Sequence, residues 1–414
     1  MQRYLHLIII AFMLPFGGMV CAQNSTSSPY SRYAFGELSN YCPTGYRAMG
    51  GVRYGMRNNR TINAAQPASY TACDSMTFMF DLSAFVAWNR QQDGSGMRNK
   101  ALGNLDYITM QFPLWKQHIA MSLGILPYSM VGYDITLPGS VTSPSGTYTY
   151  SRVYAGEGGI TDLYGGLSGN LFDWVALGLN AYYMFGEVSN ARTLIFDDGG
   201  LASVIRMNDI HVSTLRLRGG IQVFHTFGKH SFVLGGVYEH RMNVRGTYTE
   251  LGTSTVTDSV EYLENSGMQL PSMLGVGGSY IWNNRLTVAV DYERQFWGSL
   301  HFLEDQEFGR ETLTDYNRIS LGAEYRHNPY GKNYAERMYW RAGCGFNDSY
   351  VKTVKSKDLN VSIGMGFPMR TSATIFNITL EYKRRGLASG LHENSLMLTF
   401  GASVRENWFF KRKL

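Results

Sequence analysis

Ten charged residues recur on the polar side of alternating runs: Asp81, Arg216, Arg218, Asp291, Glu293, Arg318, Glu324, Arg326, Glu381 and Lys383. Both signs are present, and each residue has apolar sequence neighbours. Carboxylates and guanidiniums gathered on the inner faces of strands would form an ion-pair and hydrogen-bond lattice that fills a bore. The same arginines would also suit bidentate contacts to a carboxylate head group. Neither chemistry calls for a cofactor or a metal. The chain carries no GxSxG, HExxH or P-loop, and no GxGxxG follows a strand, so the reading is that of a non-enzyme.

The elements that position these charges are strands. From Met76 the pattern has period 2: Met76, Phe78, Phe80, Leu82, Ala84, Val86 and Trp88 share one face, with Thr77, Asp81, Ser83 and Asn89 on the other. Leu286, Val288, Val290 and Tyr292 oppose Thr287, Asp291, Glu293 and Gln295 in the same way, and Phe376, Ile378, Leu380 and Tyr382 oppose Asn377, Thr379, Glu381 and Lys383. Fourteen such segments follow one another between residues 75 and 404. Short connections (115–117, 171–173, 228–229, 283–284) alternate with long polar ones (90–103, 133–158, 189–211, 246–267, 300–315). Trimmed turns at one rim and free loops at the other mark an antiparallel transmembrane β-barrel of the outer membrane, and an even strand count returns both ends of the barrel to the periplasm.

Bulk composition agrees. With 28 Tyr, 22 Phe and 7 Trp but only 17% charged residues, the chain is aromatic-rich, yet mean hydropathy stays at -0.19, as expected when one strand face is wet. Residues 1–22 read as a secretory signal peptide: Arg3, an apolar stretch from Leu5 to Met19, and Ala22 before the cut. Beyond Gln23 no apolar run is long enough for a membrane helix. Removing the signal peptide takes away one base and no acid, so the net charge falls from +5 to +4, too little to imply nucleic acid. Cys42 and Cys73 lie in one region and would either pair or stay reduced, whereas Cys344 falls on the apolar side of a strand. Residues 23–74 read as an N-terminal leader and hatch, 75–404 as the barrel and 405–414 as a periplasmic tail. The aromatic end Trp408-Phe409-Phe410 offers a strand signal to the barrel-assembly machinery or an interfacial belt.

Two stretches resemble a known family. Gly45-Tyr46-Arg47-Ala48-Met49-Gly50-Gly51 and Gln66-Pro67-Ala68, with a strand starting about ten residues on, are similar to the long-chain fatty-acid transporter family of outer-membrane barrels (FadL/TodX-like). Gln66 stands where that family has Asn. The segments SPYSRYAFGEL and ENWFFKRKL look like those of Bacteroidota members. The resemblance implies an N-terminal hatch, with Gly50, Gly51, Gln66, Pro67 and Ala68 as its motif, inside a fourteen-stranded barrel. It also implies passive uptake of small hydrophobic compounds, with sideways exit through a kinked third strand. Gly124 and Pro127 fall in the third segment, where a proline belongs at an edge, bulge or opening, or at the strand's outer end. The alternative is a plugged barrel that transports nothing and serves as a scaffold or shuttle in an outer-membrane secretion or barrel-assembly complex. Expected partners are outer-membrane lipid, a hydrophobic small molecule, the assembly machinery and an outer-membrane protein complex.

Overall fold

A computed structural model describes residues 26–407 apart from 94–95, 145, 198–202, 254–257, 265–267, 301–312, 353–355, 370–372 and 387–390. The expected signal peptide and the Trp408–Phe410 signal lie outside the described residues. Among them the strands are β1 (Glu37–Leu38), β2 (Thr77–Asp93), β3 (Gly96–Trp115), β4 (Ile119–Ser143), β5 (Gly146–Phe172), β6 (Val175–Phe196), β7 (Val204–Phe227), β8 (His230–Glu239), β9 (Met242–Asn243), β10 (Gly246–Thr253), β11 (Asp258–Glu264), β12 (Gln269–Leu270), β13 (Met273–Trp282), β14 (Leu286–Gln295), β15 (Tyr316–Tyr325), β16 (Tyr339–Asp348), β17 (Lys357–Pro368), β18 (Ile375–Gly386) and β19 (His392–Asn407).

Fourteen of them, β2–β8 and β13–β19, form a closed antiparallel barrel. Each pairs with its neighbours, β8 pairs with β13, and β19 closes on β2 from Asn407↔Thr77 to His392↔Gln92. Period-2 alternation makes this sheet two-faced. Leu179, Leu217, Leu234, Val290, Leu321, Val361 and Ile363 point outward and are exposed. Trp115, Trp174, Phe227, Trp282, Tyr325 and Trp340 ring the strand ends at the tight-turn rim, and Trp88, Tyr238, Tyr292 and Tyr382 stand near the other. An apolar band between two aromatic girdles fits residence in the outer membrane. No helix among the described residues is long and apolar enough to cross a bilayer. The turns are chemically apt: in the three-residue turn between Trp282 and Leu286, Asn283 and Asn284 take φ of 51° and 53°, left-handed positions that Asn tolerates.

Several long connections expected as loops are ladders. β4 and β5 run together from Ile119↔Gly169 to Ser143↔Gly146, through most of 133–158, and β2 and β3 continue up to Asp93↔Gly96 through most of 90–103. The 246–267 stretch holds β10 and β11, which extend the sheet from the upper part of β7. Above the bilayer both faces are wet, so alternation disappears while pairing continues. One side of the barrel is therefore tall, with strands of 20 to 27 residues from β3 to β7, against 10 to 12 residues in β13–β18.

Candidate functional site

Residues 26–74 lie inside the barrel, and their bonds to the wall build the site. Across the sequence from Tyr41 to Cys73 the segment is almost wholly buried, with a single α-helical turn over Thr44–Arg47, a 3-10 turn over Pro67–Ala72 and irregular chain between them. A chain this irregular leaves backbone groups unpaired, and inward side chains of the wall satisfy them. Asp291 accepts from the backbone N–H groups of Arg53 and Tyr54, the latter at 2.7 Å. The Arg53 guanidinium pairs with Glu293, which also accepts from the Tyr54 hydroxyl at 2.7 Å. Asn180 and Tyr182 donate to the Ala64 carbonyl at 2.9 and 3.0 Å, Thr379 donates to the Thr44 carbonyl at 2.9 Å, and Arg47 pairs with Asp106 at 2.6 Å. These anchors come from strands on all sides of the bore.

The motif residues lie close against the wall. Gly50 has φ of +71°, and a Cβ there would lie 2.7 Å from both the Leu321 carbonyl oxygen and the Cys344 nitrogen. The Gly50 N–H donates to Ser362 at 2.9 Å, and Arg318 donates to the Gly50 and Gly51 carbonyls. Gln66 caps the Pro67–Ala72 turn through the Ala68 N–H at 3.3 Å and reaches the wall carbonyls of Ile221 and Gly236. Its amide thus ties the Pro67–Ala72 turn to the wall.

The remaining sequence-predicted charges separate into groups. Arg216 pairs with Asp162 and with Glu239 at 2.7 Å, and Arg218 with Glu239 at 2.9 Å, all from the wall. Glu324 pairs with Arg341 at 2.7 Å. Lys383 meets Glu37 at 3.0 Å beside Arg385, which bridges Glu37 and Asp358 at 2.8 and 2.9 Å. Glu381 accepts from Asn360 at 3.4 Å. Asp81 accepts from Ser403 and Tyr107. Arg326 bonds the Tyr339 hydroxyl at 2.5 Å and meets no acid among the described residues. Sequence reading missed Glu37, Arg53, Asp106, Asp162, Glu239 and Arg385. Arg385 was within reach, since it shares the face of Lys383 two residues on. Burial alone would raise the Glu37 carboxyl, but the Arg385 and Lys383 charges outweigh it and hold it well below the usual range.

Cys42 and Cys73 are both buried, free and in separate apolar clusters, so they stay reduced. Burial pushes the Cys42 thiol up to about 11. The outer mouth is sealed as well: Phe35, Val131, Tyr133, Ile160, Trp297 and Tyr350 form an apolar cap, with Tyr350 donating to the Gly36 carbonyl at 2.5 Å.

The wall's ladder stops early between β3 and β4. β3 and β4 pair only from Trp115↔Ile119 up to Ile108↔Ile125. Above that level β3 bonds to β2 and β4 to β5, while Glu37 and Leu38 of β1 add to the β4 edge opposite Met130 and Ser129. A bulge flanks the break on each side. Asp106 is the extra residue in β3, and Pro127 and Tyr128 make the bulge in β4, with Gly124 just below it on the inner face. Pro127 is therefore within the strand and not at its outer end. Behind the slit lies a cavity of about 180 Å³ that reaches Leu102 of β3 and Met130 of β4 and is otherwise rich in charge, including Glu37, Arg47, Lys383 and Arg385.

A fourteen-stranded barrel with an irregular N-terminal segment bonded inside it is the fold of several solved channels. The chain is similar to a Pseudomonas aeruginosa FadL homologue (TM-score 0.59, 11% identity, covering 91% of this chain and 100% of that one). It is also similar to the Ralstonia pickettii toluene transporter TbuX (0.58, 14%, 89% and 99%) and the CymD monoaromatic hydrocarbon channel (0.57, 14%, 91% and 99%). At such identity these likenesses speak for the fold. The model of the BamG family matches residues 4–414, and the chain belongs to that family. No curated protein matches the sequence.

Proposed function

We propose that this chain is a permanently plugged outer-membrane barrel that serves as a fixed subunit of a larger outer-membrane assembly machine. The carrying observation is the occupied bore: buried ion pairs and backbone bonds hold residues 41–73 to the wall, and an apolar cap closes the outer mouth. Opening such a plug would strand several buried charges, each costing about 3–5 kcal/mol when its partner is removed. Membership in BamG, a family named for the barrel-assembly machinery, supports the same reading. The experiment is mild-detergent extraction of the tagged full chain at native abundance. A reproducible, stoichiometric set of outer-membrane and periplasmic proteins is expected, and a solitary barrel overturns the proposal.

A second reading has its own observation. The β3–β4 slit, flanked by two bulges and backed by a cavity, would let a small hydrophobic compound pass between bore and bilayer, the plug acting as gate. The names of the solved neighbours, hydrocarbon and toluene channels, lend it support. Toluene uptake by cells making the chain, compared with cells lacking it, decides this reading: equal uptake removes it.

A further inference from the structure

A cleft of about 390 Å³ opens at the tight-turn rim between the bore segment and two turns of the wall. Arg60 reaches it from inside, Asn284 and Arg285 from the β13–β14 turn, and Arg326, Asn328 and Tyr330 from the connection after β15. Three guanidiniums thus surround one space. Arg326 is only 8% exposed, yet among the described residues none of the three has a carboxylate within ion-pair distance. The nearest acid on its own strand, Glu324, is engaged by Arg341 at 2.7 Å.

The like charges are close. Arg60 and Arg326 both lie over the Tyr339 ring, at 5.6 and 4.8 Å from its centroid. Arg326 spends one N–H on the Tyr339 hydroxyl, its backbone N–H bonds the Arg285 carbonyl at 2.7 Å, and its buried Nε has no partner. Burial and the Arg60 charge together push the Arg326 guanidinium below its ordinary value. A buried donor without an acceptor, among cations without a counter-charge, is costly unless an anion completes it. Elsewhere in the bore Arg53, Arg216, Arg341 and Arg385 each pair with an Asp or Glu. Among the described residues Arg60, Arg285 and Arg326 pair with none.

We infer that Arg60, Arg285 and Arg326, with the Asn284 and Asn328 amides, form a periplasmic oxyanion site that takes a carboxylate of an acidic polypeptide segment. Arg60 belongs to the segment inside the barrel, so the cleft opens toward the mouth of the bore. Guanidiniums bind carboxylates as planar forks, and an acidic segment would bring several within the same 390 Å³. The choice of a polypeptide as occupant rests on the subunit reading above.

The test uses the full chain in detergent, titrated calorimetrically at low salt with pentaglutamate and, separately, with inorganic phosphate. Pentaglutamate is expected to bind and to weaken as salt rises. R60Q/R326Q is expected to lose at least tenfold in affinity, with R326K in between. Arg285 is exposed on its turn, so R285Q tests the site without disturbing packing and is expected to weaken binding severalfold; K100Q, on the upper part of β3, is expected to match the wild type. Heat-modifiable gel mobility shows that each variant is a folded barrel. Absence of pentaglutamate binding, or equal binding by wild type, R285Q and R60Q/R326Q, overturns the inference. Binding of phosphate alone overturns the polypeptide occupant. A solitary barrel that still binds pentaglutamate would sink the subunit reading and leave the site standing. Stable co-purifying partners together with unaffected R60Q/R326Q binding would do the reverse.

Discussion

Two junctions of this barrel invert an ordinary expectation. β2 and β19, the first and last barrel strands, meet across the greatest sequence separation, yet their ladder runs unbroken from Thr77–Asn407 to Gln92–His392. β3 and β4, joined by a tight turn, pair only up to Ile108–Ile125 and then part. Closing the distant pair costs more chain entropy, so it needs the long register. The local pair is held by its turn and can spare bonds above. The weak line of the wall therefore lies at consecutive strands, where bulges at Asp106 and Tyr128 divert both edges and β1 seats on one of them.

The largest effect expected concerns the anchor opposite that line. Arg53→Leu leaves Glu293 buried without its guanidinium and should cost about 3–5 kcal/mol. Limited proteolysis within 57–62 is the measurement, with the barrel still heat-modifiable. An uncut, wild-type pattern would mean that the bore segment is held from the β1 side instead. Next in size, Gly50→Ala places a methyl against the Leu321 and Cys344 backbones in a left-handed conformation. A loss of about 1–3 kcal/mol is expected from such strain, read as a lowered unfolding midpoint in urea; Gly165→Ala, where nothing lies within 4 Å of the added methyl, is the matched control.

The comparison also explains what was legible beforehand. All fourteen barrel strands stood out because lipid and bore impose opposite demands on successive residues, and Pro127 flagged β4 because it lacks a ladder donor. The upper halves of β4–β7 did not stand out, since water on both faces leaves no binary pattern to read. The charged lattice was half visible: Asp291, Glu293 and Arg318 advertise themselves by alternation in strands. Their partners in the bore segment, Arg53 and the Gly50 and Gly51 carbonyls, sit in irregular chain whose fold is dictated by the wall. No local period could have announced them.

Removing the bulge sharpens the contrast between the junctions. Below it Ala120, Ser122, Gly124 and Leu126 face inward, and above it Ser129, Val131 and Tyr133, so deleting Tyr128 restores continuous alternation without turning either set around. β3–β4 pairing should then extend upward, and amide exchange at 126–131 should slow at least tenfold, about 1.4 kcal/mol. Unchanged exchange would mean that Asp106 alone holds the slit open. If hydrophobic compounds use the slit, toluene uptake falls in the same variant.

The smallest effect expected is a null with a sign. Glu37 sits beside the slit, paired with Lys383 and Arg385, and its carboxyl in the folded protein lies below its ordinary value. A carboxyl whose value is depressed by folding stabilises fully above its unfolded pKa, about 4.3, and loses that contribution only as pH falls toward and through the folded value. Between pH 7 and 5, therefore, β1 should stay seated on β4, and exchange at Ser129 and Met130, corrected for intrinsic rate, should not change. Glu37→Gln removes the charge at every pH and should raise exchange there severalfold, while the Thr77–Asn407 to Gln92–His392 ladder keeps its protection. If acid alone loosened β1 above pH 5, the ion pairs with Lys383 and Arg385 would not be what holds it, and the slit would owe its occupant to backbone pairing.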